Sequence, residues 1–215
     1  MRAPILALLA GKAKPFARGE LSAIGKVETD GSVKVTCRGL VGDEQADRRV
    51  HGGPDKALHH YPADHYDFWR ACAAEHPLLD VAGAFGENVS TRDITEAMVC
   101  IGDRFQLGSA LVEISQGRQP CWKQGHFMEW ATLPAIMVRE RRSGWYYRVI
   151  EEGEAKRGDL LSLVDRPQPD WTVERVFGLL IAGDHKRDPA ALPVLRDMPH
   201  LFGGWRERAA ALMGS

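Results

Sequence analysis

The sequence predicts a mainly β fold, a sandwich or barrel of short strands with helices set between them and a small helical tail. Three observations carry this. Up to about residue 165, short apolar stretches with local alternation are separated by glycine turns at roughly 8–12-residue spacing. The 215 residues include 22 Gly and 12 Pro, a composition rich in turns. After Arg166-Pro167-Gln168-Pro169-Asp170 the apolar spacing becomes helical.

Taken in order, the opening run to Ala10 is short and meets Lys12 and Lys14 at once, so it reads as a first buried strand rather than a secretion signal. Stretches at 23–27 and 32–36 flank Thr29-Asp30-Gly31, and Asp-Gly is a hairpin turn, so the two are expected to pair. A proline-led helix is expected over 62–75, with Tyr66, Trp69, Arg70 and Ala73 on one stripe. A meander follows: a strand at 98–101, a turn at Gly102-Asp103, a strand at 104–107, a turn at Gly108-Ser109 and a return along 110–115. A helix is expected over 133–142, with Thr132 as its cap and Ser143-Gly144 ending it. Strands at 145–151 and 159–164 complete the β region. The two prolines of 166–170 read as a stiff linker, dividing the chain into 1–166 and 167–215. In the tail, Val173, Val176, Phe177 and Leu180 follow i, i+3, i+4, i+7 behind Thr172. Further helices are expected from Asp188-Pro189 and over 204–213.

Composition narrows the function. Hydrophobic residues at 44% and charged residues at 27% exclude a disordered chain, a coiled coil and a collagen-like fibre. Lys+Arg 28 against Asp+Glu 29 leaves a net charge of -1, so no nucleic-acid or anionic-membrane partner is expected, although a local basic pocket is compatible with it. No stretch approaches the ~20 apolar residues that cross a bilayer. Cys37, Cys72, Cys100 and Cys121 contain no CxxC pair, and a core of this size does not need disulfides, which points to a reducing cytoplasm.

Three clusters carry candidate chemistry. In the first, Gly52-Gly53-Pro54 can let backbone amides approach an anion, with Arg48, Arg49, His51, Asp55 and Lys56 around it. By residue type alone a Gly-Gly-Pro turn with solvated charges is the more ordinary reading. His59, His60 and His65 have no ligand spacing for zinc, and the expectation is that one packs while the others are wet. In the second, Phe85-Gly86-Glu87-Asn88 offers a carboxylate and an amide suited to a heterocycle edge, or else a loop that satisfies its own backbone. In the third, Cys121 leaves a strand end between Arg118 and Lys123. Nearby cations favour the thiolate, which ligates metal or attacks an electrophile. Against that, most single cysteines are small buried hydrophobes.

Together, Gly42-Asp43-Glu44-Gln45, Val50-His51-Gly52-Gly53-Pro54-Asp55-Lys56-Ala57, Phe85-Gly86-Glu87-Asn88 and Arg118-Gln119-Pro120-Cys121 resemble the ordered motifs of the MOSC domain, named for the C-terminal domain of molybdenum cofactor sulfurases. The resemblance is closest to the small stand-alone bacterial YiiM-like branch, which Ser143-Gly144-Trp145-Tyr146 and the helical tail also fit. It implies a MOSC-type β-barrel with interspersed helices and a C-terminal three-helix domain, binding the molybdopterin form of the molybdenum cofactor. At family level it also carries pyridoxal phosphate binding. Cys121 then stands where the family has its molybdenum-coordinating cysteine. His51, Gly52, Gly53, Asp55, Lys56, Phe85, Gly86, Glu87, Asn88 and Arg118 become candidate cofactor-binding residues.

The expected activity is reduction of N-hydroxylated bases or related compounds, with electrons from a separate reductase, because no iron–sulfur pattern is present. The alternative is a sulfur or cofactor carrier that uses a Cys121 persulfide or thiolate without turnover. For the tail, the residues leave open a cover for the barrel mouth, a reductase contact or a homodimer interface.

Overall fold

A computed structural model describes residues 1–46, 52–73 and 76–214. The clearest alternation in the sequence becomes the middle of a nine-stranded sheet. Strands Arg104–Leu107 and Ala110–Gly117 run antiparallel, setting Phe105 opposite Val112 and Leu107 opposite Ala110, all fully buried. Burying each of the larger side chains contributes about 1.5–3 kcal/mol. The connecting turn accepts only glycine: Gly108 lies at φ +60, and a Cβ there would stand 2.2 Å from the Glu154 carbonyl.

Across the sheet the order is Arg2–Pro4, Leu160–Asp165, Arg104–Leu107, Ala110–Gly117, Trp145–Glu151, Leu58–His60, Val89–Ser90, Ala7–Ala10 and Val27–Glu28. Its first and eighth members are successive pieces of one N-terminal stretch, broken at Ile5-Leu6. Ile5 donates to the Asp159 carbonyl and Leu6 to that of Ser90, so these ten residues join the two sides and close the sheet into a barrel. The first buried strand is thus present, in two pieces. A smaller sheet of Gly153–Ala155, Val33–Thr36 and Gly39–Leu40 packs alongside.

Several expectations are corrected. The strands flanking Asp30-Gly31 do not pair: Val27–Glu28 joins Ala7–Ala10, while Val33–Thr36 joins Gly39–Leu40 and Gly153–Ala155. Residues 98–101 form no strand, only a bridge between Cys100 and Thr172. The helix expected over 62–75 spans Asp64–Cys72. Tyr66 and Trp69 are buried, but Arg70 lies outside and donates to Asp67 and the Leu79 carbonyl. Thr132 takes the expected N-cap position of helix Leu133–Glu140, but its hydroxyl makes no capping bond and accepts from Trp130 Nε1. A short helix, Trp122–Phe127, appears where none was expected.

The tail forms the three expected helices, Val173–Leu180, Ala191–Asp197 and Gly203–Leu212. Thr172 accepts from the Arg175 amide at 3.1 Å, as its capping role requires. One hydrophobic cluster runs from Phe105, Val112 and Ile114 of the barrel into Val173, Phe177 and Trp205 of the tail. The junction is also pinned electrostatically. Arg166 Nε and Nη2 reach the two carboxylate oxygens of fully buried Asp103 at 2.9 and 2.7 Å. Among the described residues, no helix is long and apolar enough to cross a membrane.

Candidate functional site

Neighbouring strands end at one mouth of the barrel, and the loops leaving them line a cleft that is open to solvent. Strand Ala110–Gly117 delivers Arg118. The Gln119-Pro120 break then turns the chain, so that Cys121 stands immediately before helix Trp122–Phe127. On the next strand Tyr146 lies opposite Gln116, and His59 lies opposite Tyr146 on the strand after that. Lys56, Phe85, Gly86 and Asn88 reach the cleft from loops, as do Ile24, Lys26, Asp43 and Gln45.

The cations of the cleft are held in different ways. Lys26, buried, pairs with Asp43, and desolvation lowers its pKa against the pull of that carboxylate. Lys123 reaches Glu20 at 2.8 Å and the Leu21 carbonyl at 3.1 Å. Arg118 is only 5% exposed. Its Nη2 donates to Gln124 Oε1, while its Nη1 is buried without a hydrogen-bond partner among the described residues. A buried guanidinium nitrogen left unmatched in an otherwise satisfied site is a place for an anionic ligand. Cys121 is half-buried and Tyr146 is close enough to feel its charge. Burial raises the Tyr146 hydroxyl, the Arg118 charge partly offsetting it, so the phenol stays protonated.

His59 is fixed from both sides. Its ring donates to the Ser143 carbonyl at 3.3 Å, and Glu96 holds that turn by accepting from the Ser143 and Gly144 amides at 3.0 and 2.7 Å. Gly144 itself must be glycine: it has φ +75, and a Cβ would meet the His60 carbonyl at 2.1 Å. The expectation of wet histidines is corrected. His59, His60 and His65 are all buried, with His60 bonded to Tyr147 and Thr91 and His65 to Glu96. No group of described residues could hold a metal ion through three or more His, Cys, Asp or Glu side chains.

Burial pushes the His60 imidazole down to about 3 and holds His59 well below its ordinary value of 6.5, the Arg118 charge adding to the effect on His59. The unfolded chain therefore binds protons at these sites where the folded chain does not. The stability these two sites contribute should be complete above pH 6.5 and fall as pH drops from there towards 3. The slope approaches about 1.4 kcal/mol per pH unit for each histidine. Urea midpoints across that window check this. A His60→Asn variant, though less stable, should give the shallower dependence.

The cleft gathers Cys121, Arg118, Lys56, Phe85, Gly86 and Asn88 of the sequence candidates. Phe85 stacks on Tyr61 at 4.1 Å and forms a rigid apolar wall. Asn88 lines the cleft, but its amide is fully used: Oδ1 accepts from the His59 amide, and Nδ2 donates to the Leu9 carbonyl and Asp43. Glu87 is turned away and fully buried, accepting from Tyr66 and from the amides of Gly83 and Phe85. Glu87 thus satisfies the backbone of its own loop, whereas Asn88 ties that loop to Leu9, Asp43 and His59. Gly53 spends its amide on Gln45 Oε1, Asp55 is bound to Arg148, and neither they nor Gly52 line the cleft. His51, Arg48 and Arg49 lie outside the described residues. Residue-by-residue reasoning missed Lys26, His59 and Tyr146 as lining residues. Asp43 and Gln45 carried a signal in the Gly42-Asp43-Glu44-Gln45 motif.

The sequence pattern of the MOSC domain matches residues 47–162, more than half of the chain. The chain belongs to the MOSC family. It is 43% identical over 179 residues to protein YiiM of Escherichia coli, covering 83% of this chain and 79% of that protein. A Gibberella moniliformis protein named reductase is 40% identical over 175 residues, a match to 80% of this chain but only 31% of that longer protein. The crystal structure of YiiM from Geobacillus stearothermophilus has a TM-score of 0.82 and 31% identity, covering 98% of this chain and 99% of that one. The MOSC barrel with its three C-terminal helices is thus the fold expected, and the family association is with molybdenum cofactor binding.

Proposed function

We propose that this MOSC protein holds the molybdopterin form of the molybdenum cofactor in the cleft and reduces N-hydroxylated bases or related compounds. The single observation that carries the reading is the buried Arg118 Nη1, which has no partner among the described residues, in the same cleft as a half-buried cysteine. The donor set fits such a group. Cys121 supplies a soft sulfur ligand of the kind molybdenum accepts beside a dithiolene, and Arg118 and Lys56 supply positive charge for the cofactor's anionic parts. When bound, the cofactor supplies a two-electron redox centre able to take up oxygen.

The chain's own residues prepare the cleft for that chemistry. Tyr146, kept protonated, and His59, kept neutral, bring no negative charge to the wall near Arg118. Phe85 and Ile24 form its apolar side. Cleaving N–O takes two electrons and two protons and releases the amine and water. The electrons come from a separate reductase in a reducing cytoplasm. The match to a protein named reductase supports an oxidoreductase over a passive carrier.

The test is metal analysis of freshly isolated protein, followed by incubation with a hydroxylaminopurine and a chemical electron donor. Stoichiometric molybdenum with donor-dependent formation of the aminopurine supports the reading. Metal-free protein carrying a Cys121 persulfide, with no turnover after cofactor loading, overturns it in favour of sulfur transfer.

A further inference from the structure

The helical tail meets the cleft at one junction. Ser115, fully buried on strand Ala110–Gly117, accepts the Phe202 amide on its carbonyl at 2.9 Å. Its hydroxyl is bonded to the carbonyls of Asp55 at 2.5 Å and Tyr146 at 3.2 Å. Tyr146 and Lys56, the residue after Asp55, both line the cleft. Phe202, just before helix Gly203–Leu212, places its ring 4.9 Å from the Lys56 ammonium. On the other side Gln45 bridges the same turn, accepting from the Gly53 amide and donating to the Lys56 carbonyl. The backbone of Lys56 is therefore clamped by the barrel, and its flexible four-carbon stem is met by an aromatic face from the tail.

We propose that Phe202 is a positioning residue: the tail's ring holds the Lys56 ammonium at the cleft wall and so sets the cleft's affinity for a phosphate-bearing anionic ligand. This rests on the reading that the cleft takes an anion, but not on any redox activity. The physical basis is entropy. A lysine side chain loses rotamer freedom when it engages a ligand, and a stem already held loses less. The tail thereby acquires a role in the site without supplying any atom to the chemistry.

Inorganic phosphate is the probe, titrated into cofactor-free full-length protein by calorimetry at low salt. Phe202→Leu should weaken phosphate binding about three- to fivefold. Phe202→Tyr, which keeps the aromatic face, should restore it. Lys56→Met should lose more, and adding Phe202→Leu to it should cost nothing further, since the ring then has no ammonium to hold. Thermal unfolding is recorded for each variant, and Phe202→Met, which keeps the apolar volume but not the aromatic face, takes the place of Phe202→Leu if that variant does not fold, with the same weakening expected. Additive losses in the double variant, wild-type affinity in Phe202→Leu or Lys56→Met, or no phosphate binding by the wild type would each overturn the proposal. Coupled losses together with absent N-hydroxy reduction would leave it standing while removing the redox reading.

Discussion

Cys121→Ala is expected to abolish reduction of N-hydroxylated substrate and to lower molybdenum retention by more than about 100-fold, since loss of a direct ligand should exceed the 10–100-fold typical of an outer-shell change. The fold should survive. Cys121 is half-buried and the change to alanine removes a single sulfur atom, so the stability change should stay within about 1 kcal/mol. The matched control is Cys72→Ala. Cys72 is exposed at the end of helix Asp64–Cys72 and does not line the cleft, so metal content and turnover should be unchanged. Metal analysis, turnover and thermal unfolding of the two variants decide the point. An active, metal-loaded Cys121→Ala protein would remove sulfur ligation from the account.

What the sequence made legible follows the range of the forces involved. Strand pairs joined by a tight turn were readable because their register is local, as Gly108 between Phe105 and Val112 shows. The helix after Thr172 was readable for the same reason, its cap and its apolar stripe lying within one window. The strands flanking Asp30-Gly31 do not pair because Val27–Glu28 takes the distant Ala7–Ala10, while Val33–Thr36 lies between the distant Gly153–Ala155 and its neighbour Gly39–Leu40. No local pattern records such a choice. Helix Trp122–Phe127 spans six residues, too few to show a period.

The site divides along the same line. Cys121 and Arg118 stood out because a cysteine beside cations on a Gly/Pro loop is unusual in itself. Glu87 and Asn88 looked equally suited to a ligand, yet both are spent on the protein's own backbone. Side-chain type shows what a group can bond, while only the fold shows what is already bonded. Lys26 and Asp43 make the converse case. They are seventeen positions apart, and the pair becomes visible only when the two loops meet over the cleft.

Arg118→Met should separate binding from stability in a way no structural arginine would. The guanidinium is buried, bonds Gln124, interacts with the Tyr146 hydroxyl and leaves Nη1 without a partner among the described residues. An uncompensated buried charge costs folding free energy, and a methionine of similar reach fills the space without that cost. Thermal stability should therefore hold or rise, with the loss of one acceptor bond at Gln124 as the opposing contribution. Affinity for the anionic cofactor should fall sharply, because a ligand charge is left buried without its partner, a change worth about 2–5 kcal/mol in comparable sites. A second signature distinguishes the electrostatic role from a packing one. The Arg118 charge helps hold His59 in its neutral form, so its removal should let the His59 pKa rise, visible in the imidazole resonances on acid titration. Arg118→Lys keeps the charge but not the planar fork, and should retain the His59 behaviour while recovering only part of the affinity. A large loss of stability with cofactor retention intact would instead make Arg118 a structural residue and leave the cleft without its main claim on an anion.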